Sequence, residues 1–83
     1  MTSIKILGID LGKSSFHALG HDASGSEVFR KRFSRRQLLN YLNQLPPCVV
    51  AFEACGGAHW LARKSQSFGH SVKLLPLNTF ARM

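Results

Sequence analysis

The chain has 83 residues, of which 11 are Lys or Arg and 4 are Asp or Glu, so its formal net charge is +7. This length allows one small domain, and a hydrophobic content of 45% excludes wholesale disorder. No apolar run approaches the roughly 20 residues that cross a bilayer, and Gly8 and Asp10 interrupt the first run before it could act as a signal peptide. We therefore expect a cytoplasmic protein with no membrane partner. The positive charge favours a polyanionic partner such as nucleic acid.

The first part of the sequence predicts three strands. Residues 4–11 form a nearly continuous apolar run that ends at Gly12, which is typical of a buried central strand. Residues 15–21 are a second candidate strand, and residues 27–33 form a third with alternating side chains. Small polar residues at 22–26 separate the last two strands and predict a turn. Together these segments predict an antiparallel meander.

A helix is predicted directly after the meander. Ser34 and Gln37 have the spacing of a capping box, which marks the first turn of a helix. Leu38 and Leu42 then recur on one helical face. Pro46 ends the pattern, because proline restricts the residue before it to extended conformations.

The remaining sequence predicts a strand, a helix and a strand. Residues 48–55 are apolar apart from Glu53, and residues 58–68 have a helical pattern that Gly69 would cap. Residues 71–75 predict a short last strand. Cys48 and Cys55 fall at opposite ends of one strand, which is too far apart for a disulfide bond.

The order of these elements predicts an α/β fold with a mixed five-stranded sheet. Strand-helix-strand units require parallel pairing with right-handed crossovers, so the fourth strand should lie beside the first and the fifth beside the fourth. This is the core of the ribonuclease H-like fold, here without its C-terminal helices, so one face of the sheet should stay partly uncovered. We assign residues 1–76 to this domain and residues 77–83 to the start of a further element.

Asp10 and Glu53 are the candidate catalytic and metal-binding residues. Each follows several apolar residues on a predicted central strand, and the carboxyl ends of parallel strands border the ligand crevice in open sheets. A carboxylate in apolar surroundings requires a compensating partner, and a divalent cation would also remove the repulsion between two acidic groups. Mg²⁺ prefers carboxylate oxygens and can assist phosphodiester cleavage.

A purely structural interpretation of the same two residues stays open. Asp10 could cap the turn at Gly12, and Glu53 could form an ion pair with Lys13 or Arg63. Neither arrangement would require a metal ion.

A basic stretch between the third strand and the first helix is the candidate nucleic-acid-binding surface. It places five cations within seven residues, and it consists of Arg30, Lys31, Arg32, Arg35 and Arg36. Lys13, in the loop after the first strand, is added to this candidate surface. If the five cations of the stretch all contact DNA phosphates, the logarithm of the binding constant should fall with the logarithm of salt concentration with a slope of about −4 to −5.

Short motifs along essentially the whole chain resemble the N-terminal domain of the insertion sequence 110 family of transposases. The motifs are Gly8-Ile9-Asp10, Lys13, Phe16-His17, Gly25, Ser34-Arg35, Leu45-Pro46-Pro47, Phe52-Glu53-Ala54-Cys55-Gly56, Ala58-His59-Trp60, Ala62-Arg63, Gly69-His70 and Val72. The resemblance implies a RuvC-like domain whose four carboxylates, in the order D, E, D, D, bind divalent metal. Asp10 matches the first of these and Glu53 the second.

The resemblance also implies that the chain is a truncated piece of a longer transposase. Residues 54–83 contain no Asp or Glu, so the last two metal ligands of the family are not supplied by this chain. Our first hypothesis is a fragment of a DNA-cleaving transposase that binds DNA or a guide RNA. The alternative is a non-catalytic nucleic-acid-binding remnant that interferes with full-length transposase. Whether the chain alone is an enzyme is left open by the sequence.

Overall fold

The computed structural model describes residues 3–53 and 58–75, which form five strands and two helices. In chain order they are β1 (Ile6–Leu11), β2 (Phe16–His21), β3 (Glu27–Phe33), α1 (Arg35–Gln44), β4 (Val49–Glu53), α2 (Ala58–Ser67) and β5 (Ser71–Leu75). The five strands and two helices predicted up to residue 75 are present, and β3 and β5 have the predicted bounds. The end of the predicted fourth strand, including Cys55, and the predicted domain boundary after residue 76 lie outside the described residues. In the described part, no helix is long and apolar enough to cross a membrane.

The five strands form one mixed sheet in the order β3-β2-β1-β4-β5. The meander β1-β2-β3 is antiparallel, whereas β1 pairs with β4 and β4 pairs with β5 in parallel. The predicted positions of the fourth and fifth strands are thus confirmed. An α/β architecture follows, with β1 at the centre of the sheet.

Both helices pack on one face of the sheet, which we call the helix face. The buried core contains side chains from four strands and both helices: Leu7, Ile9, Phe16, Ala18, Phe33, Leu38, Leu42, Val50, Phe52, Ala58 and Leu61. Leu38 and Leu42 of α1 are fully buried, as their spacing predicts. Burying a side chain of this size contributes about 1.5 to 3 kcal/mol, so this layer is the main source of stability.

The opposite face of the sheet, which we call the open face, contacts neither helix. Ile6 of β1 is 46% exposed there, and Asp10 and His17 are exposed. Side chains alternate between faces along a strand, so β1 directs Leu7 and Ile9 to the core and Asp10 to the open face.

Local sequence signals fix the helix ends. The Ser34 side chain accepts a hydrogen bond from the Gln37 backbone, and the Gln37 side chain accepts one from the Ser34 backbone, which completes the predicted capping box. At the end of α2, Gly69 has a φ of +95°, a conformation that favours glycine. The Gly69 N–H donates to Gln66 and the His70 N–H donates to Ser65, both at 3.0 Å, which is the Schellman pattern.

Candidate functional site

Asp10 and Glu53 end two neighbouring parallel strands. The pairing of β1 with β4 aligns Ile9 with Phe52, and each carboxylate residue follows one member of that pair. Ile9 and Phe52 point into the core, so the alternation of side chains sends both carboxylates to the open face. The structure therefore brings the two predicted site residues side by side at the carboxyl end of the sheet.

The surroundings of the two carboxylates differ from those that the sequence suggests. Asp10 is exposed and Glu53 is half-buried. The predicted desolvation cost is therefore absent for Asp10, because only the opposite face of β1 is covered at this point. Two acidic groups at the ends of adjacent strands would both attract a cation.

The donor set fits a hard divalent cation. Two carboxylates on one face supply the oxygen ligands that Mg²⁺ prefers, and exposure of Asp10 leaves room for the water molecules that Mg²⁺ retains. Within residues 3–53 and 58–75, no cluster of three His, Cys, Asp or Glu side chains could complete a metal site. Asp10 and Glu53 are thus two candidate ligands, and the described residues offer no third one beside them.

Neither purely structural role for the carboxylates is formed. The Gly12 N–H donates to the Ser15 carbonyl oxygen at 2.9 Å rather than to Asp10. In the described part of the chain, the ion pair that forms is between Arg30 and Glu27, so Glu53 has no salt bridge to Lys13 or Arg63.

A polar row continues from Asp10 across the open face. Asp10 pairs with His17 of β2, and His17 pairs with Arg32 of β3. These residues line a cleft of about 740 Å³, together with Gly8, Leu19, His21, Glu27, Arg30 and Lys31. His17 was not among the predicted site residues. The signal that could have done so is the meander register, because a tight antiparallel pairing puts His17 opposite Asp10.

Arg30 is engaged within the protein. Its Nη2 and Nε atoms donate to the two carboxylate oxygens of Glu27 at 2.8 and 3.2 Å. The hydrogen bond from Arg30 lowers the pKa of the Glu27 carboxyl, and the same bond raises the pKa of Arg30. A phosphate that binds Arg30 must therefore compete with Glu27.

The other cations of the basic stretch lie on different surfaces. Arg32 belongs to the open face, whereas Lys31 projects from the helix side of β3, with its Nζ 5.3 Å from the centre of the Phe33 ring. Arg36 lines a shallow depression on α1. The basic stretch is thus distributed around the end of the sheet rather than gathered on one face.

Lys13 and Arg35 meet at a second cleft, of about 360 Å³, between the β1-β2 loop and α1. The Arg35 Cζ atom lies 4.1 Å from the centre of the Trp60 ring. Trp60 also packs edge-on against Phe16, with ring centres 6.0 Å apart. This cleft joins two predicted nucleic-acid-binding residues that are distant in sequence.

Comparison with known proteins gives a consistent set of relatives. No protein-family profile matches the chain. The chain is 49% identical over 75 residues to the transposase for insertion sequence element IS1328 of Yersinia enterocolitica, covering 90% of this chain and 22% of that protein. It is 44% identical over 69 residues to a probable family 20 transposase of Pseudomonas aeruginosa, covering 83% of this chain and 20% of the relative.

A third relative extends the set to another organism. The chain is 41% identical over 61 residues to the transposase for insertion sequence element IS1111A of Coxiella burnetii, covering 72% of this chain and 17% of the relative. The chain thus spans about a fifth of the length of the curated relatives that it matches. These matches confirm the resemblance to insertion-sequence transposases.

Proposed function

From the homology of this chain to a segment of insertion-sequence transposases, we propose that it is a ribonuclease H-like unit that takes part in metal-dependent phosphodiester chemistry on DNA. The sheet order and the mixed pairing agree with that fold. The observation that carries the proposal is the adjacency of Asp10 and Glu53 at the carboxyl ends of β1 and β4, the edge where open sheets bind ligands.

The two carboxylates would hold Mg²⁺, which in such sites activates the attacking oxygen and stabilises the leaving one. Asp10 is exposed, so its carboxylate would be the more accessible of the two ligands. Glu53, being half-buried, has less freedom and would fix the ion against the sheet. Further ligands would come from other parts of the intact transposase, since the described residues supply two.

Nucleic-acid binding would rest on cations near this edge. Arg32 lies in the same row as Asp10, and Lys13 lies in the loop that follows β1. Lys31, Arg35 and Arg36 would contact a strand that passes around the edge, and Arg30 would contribute after it leaves Glu27. DNA is the proposed partner; a guide RNA or full-length transposase would meet the same surfaces.

Paramagnetic broadening by Mn²⁺ tests the metal site in the chain as it is. In a nuclear magnetic resonance titration, we expect Mn²⁺ to broaden the amide signals of Asp10 and Glu53 first, because the ion relaxes nearby nuclei. The variants Asp10→Asn and Glu53→Gln should abolish this local effect. The control is Glu27→Gln, which removes an equal charge outside the pair. Broadening that Glu27→Gln removes and Asp10→Asn leaves intact would overturn the assignment.

A non-catalytic nucleic-acid-binding role is the second candidate. One observation favours it. The described residues include several exposed cations, whereas only two carboxylates lie at the carboxyl end of the sheet, which is too few to complete a metal site. For this role, DNA binding should weaken with salt and be indifferent to Mg²⁺. Cleavage of DNA by the purified chain, dependent on Mg²⁺ and lost in Asp10→Asn, would instead support the catalytic role.

A further inference from the structure

The cleft lined by Lys13, Arg35 and Trp60 has two positive charges, which come from different parts of the fold. The side of the cleft formed by the β1-β2 loop contributes Lys13, and the first residue of α1 contributes Arg35. Gly12 makes the loop tight, since a Cβ atom at this position would lie 2.6 Å from the Ser15 carbonyl oxygen. The loop therefore holds Lys13 close to the end of β1.

Arg35 is oriented by an aromatic ring instead of a carboxylate. Its guanidinium lies over Trp60 at 4.1 Å, and the ring is itself braced by the edge-on contact with Phe16. Stacking uses the face of the planar guanidinium and leaves its N–H edges free to donate. In contrast to Arg30, which is paired with Glu27, Arg35 keeps its charge available.

The residues that line the cleft favour the binding of an anion. Among the described residues, the lining of the cleft contains two cations, one serine and no acidic residue; these residues are Leu11, Gly12, Lys13, Ser14, Phe16, Arg35 and Trp60. Arginine and lysine together match the charge and the several acceptor oxygens of a phosphate group. The cleft begins at Leu11, one residue beyond Asp10, so an anion bound there lies at the same edge as the carboxylate pair.

We infer that this cleft binds a phosphate group of a nucleic-acid strand, with Lys13 and Arg35 as its direct contacts and Trp60 as the residue that positions Arg35. This assignment rests on the proposed nucleic-acid binding, and it identifies the cleft as the place where the strand is held. The carboxylates face the open side of the sheet and the cleft faces the helix side. A strand held in the cleft therefore reaches the carboxylates by passing around the β1-β2 loop.

Binding of a labelled single-stranded DNA oligonucleotide, measured by fluorescence anisotropy, tests this inference on the whole chain. Lys13→Gln and Arg35→Gln should each weaken binding roughly tenfold, the effect of losing a charge-assisted hydrogen bond. Lys5→Gln and Arg63→Gln are the matched controls. They remove the same charge from exposed positions outside the cleft, and they should change the affinity by at most about twofold.

The role of Trp60 in positioning Arg35 is tested by a separate variant. Trp60→Phe leaves the net charge unchanged, so a diffuse electrostatic attraction predicts no effect. The smaller ring of phenylalanine is a weaker cation–π partner for Arg35, and it should instead weaken binding by about threefold. Because Trp60 is the single tryptophan of the chain, its emission should also change when unlabelled oligonucleotide binds, and this change should be absent in Arg35→Gln.

The outcomes separate this inference from the proposed function. Salt-dependent binding that Lys13→Gln and Arg35→Gln reduce no more than Lys5→Gln and Arg63→Gln would overturn the cleft and leave nucleic-acid binding standing. Absence of oligonucleotide binding by the unaltered chain would overturn both. Saturation of the Trp60 emission change by inorganic phosphate at the same low concentration would show a site for a free anion, which also overturns the inference.

Discussion

The Nε2 atom of His70 lies 2.7 Å from the carbonyl oxygen of Leu42. On the other side of the ring, Nδ1 accepts a hydrogen bond from the backbone N–H of Cys48 at 3.2 Å. Because a carbonyl can only accept, Nε2 carries the proton, and the imidazole is the neutral tautomer. The buried ring thereby ties the last part of α1 to the segments that lead into β4 and β5. The Gly69-His70 motif therefore has a structural explanation.

We expect His70→Ala to lower the free energy of unfolding by about 3 kcal/mol. The substitution leaves two backbone groups without partners in the interior and opens a cavity. Urea denaturation monitored by circular dichroism measures the change. The control is His59→Ala, at an exposed position of α2, which should shift the free energy of unfolding by about 0.5 kcal/mol or less. Equal effects of the two substitutions would contradict the bridging role.

Ser65→Ala should stabilise the protein by about 1 kcal/mol. Ser65 is fully buried on α2, and within the described residues its Oγ has no hydrogen-bond partner. Alanine removes this unsatisfied hydroxyl and has a higher helix propensity. The measurement is the thermal midpoint. In the comparison variant Ser67→Ala, an exposed bond from Ser67 Oγ to the Lys64 carbonyl at 2.7 Å is lost, and no gain is expected. A lower midpoint for Ser65→Ala would refute the prediction.

The turn between β2 and β3 should be sensitive to acid. The hydroxyl of Ser24 and the backbone N–H of Ser26 donate to Asp22 and lower the pKa of its carboxyl below the ordinary value of 3.8. A lowered pKa in the folded state means that the stabilising effect is complete above the unfolded-state pKa and is lost as the pH falls through the folded-state value. A carbon-detected titration of Asp22 should show the lowered midpoint.

The variant Asp22→Asn tests the same turn through stability. It should unfold more easily than the unaltered chain near neutral pH, where the carboxylate accepts its bonds. The difference should disappear in strong acid, where the carboxyl is protonated in both folded and unfolded chains. A difference that is independent of pH would count against this assignment.

Arg32→Gln should weaken DNA binding more than Arg30→Gln, although both remove one charge from neighbouring positions of β3. Arg30 is held by two hydrogen bonds from its guanidinium to Glu27, whereas Arg32 lies in the row that includes Asp10. For duplex DNA, the salt slope should become less steep by about 0.9 in Arg32→Gln, and by much less in Arg30→Gln. The slope is obtained from binding constants at several salt concentrations, and equal slopes for the two variants would disprove the difference.

The general fold could be predicted from the sequence, because the signals that define its strands and helices are local. The alternation in residues 27–33, the capping box at Ser34 and the glycine at position 69 each depend on a few neighbouring residues, and each is present in the structure. The handedness of crossovers then placed β4 beside β1. The adjacency of Asp10 and Glu53 was predictable by the same route.

The ion pair between Arg30 and Glu27 was not predictable, because it depends on an irregularity in β3. Gly20 pairs with Phe29 and His21 pairs with Glu27, so Val28 is an extra residue that forms a bulge. In a regular strand, residues three apart point to opposite faces. The bulge returns Glu27 and Arg30 to the same face, where they form their ion pair. The contact of Arg35 with Trp60 could not be predicted from the sequence either, because it depends on how two helices pack together.

The direct passage from β3 into α1 has a consequence for how a ligand is accommodated. Phe33 is the last residue of the strand, Ser34 is the N-cap and Arg35 is the first helical residue, so no linker separates Arg32 from Arg35. The geometry of the main chain therefore fixes the distance between the two residues. A nucleic-acid strand that touched both side chains would have to match this fixed spacing, and its own stiffness would then affect how tightly it binds.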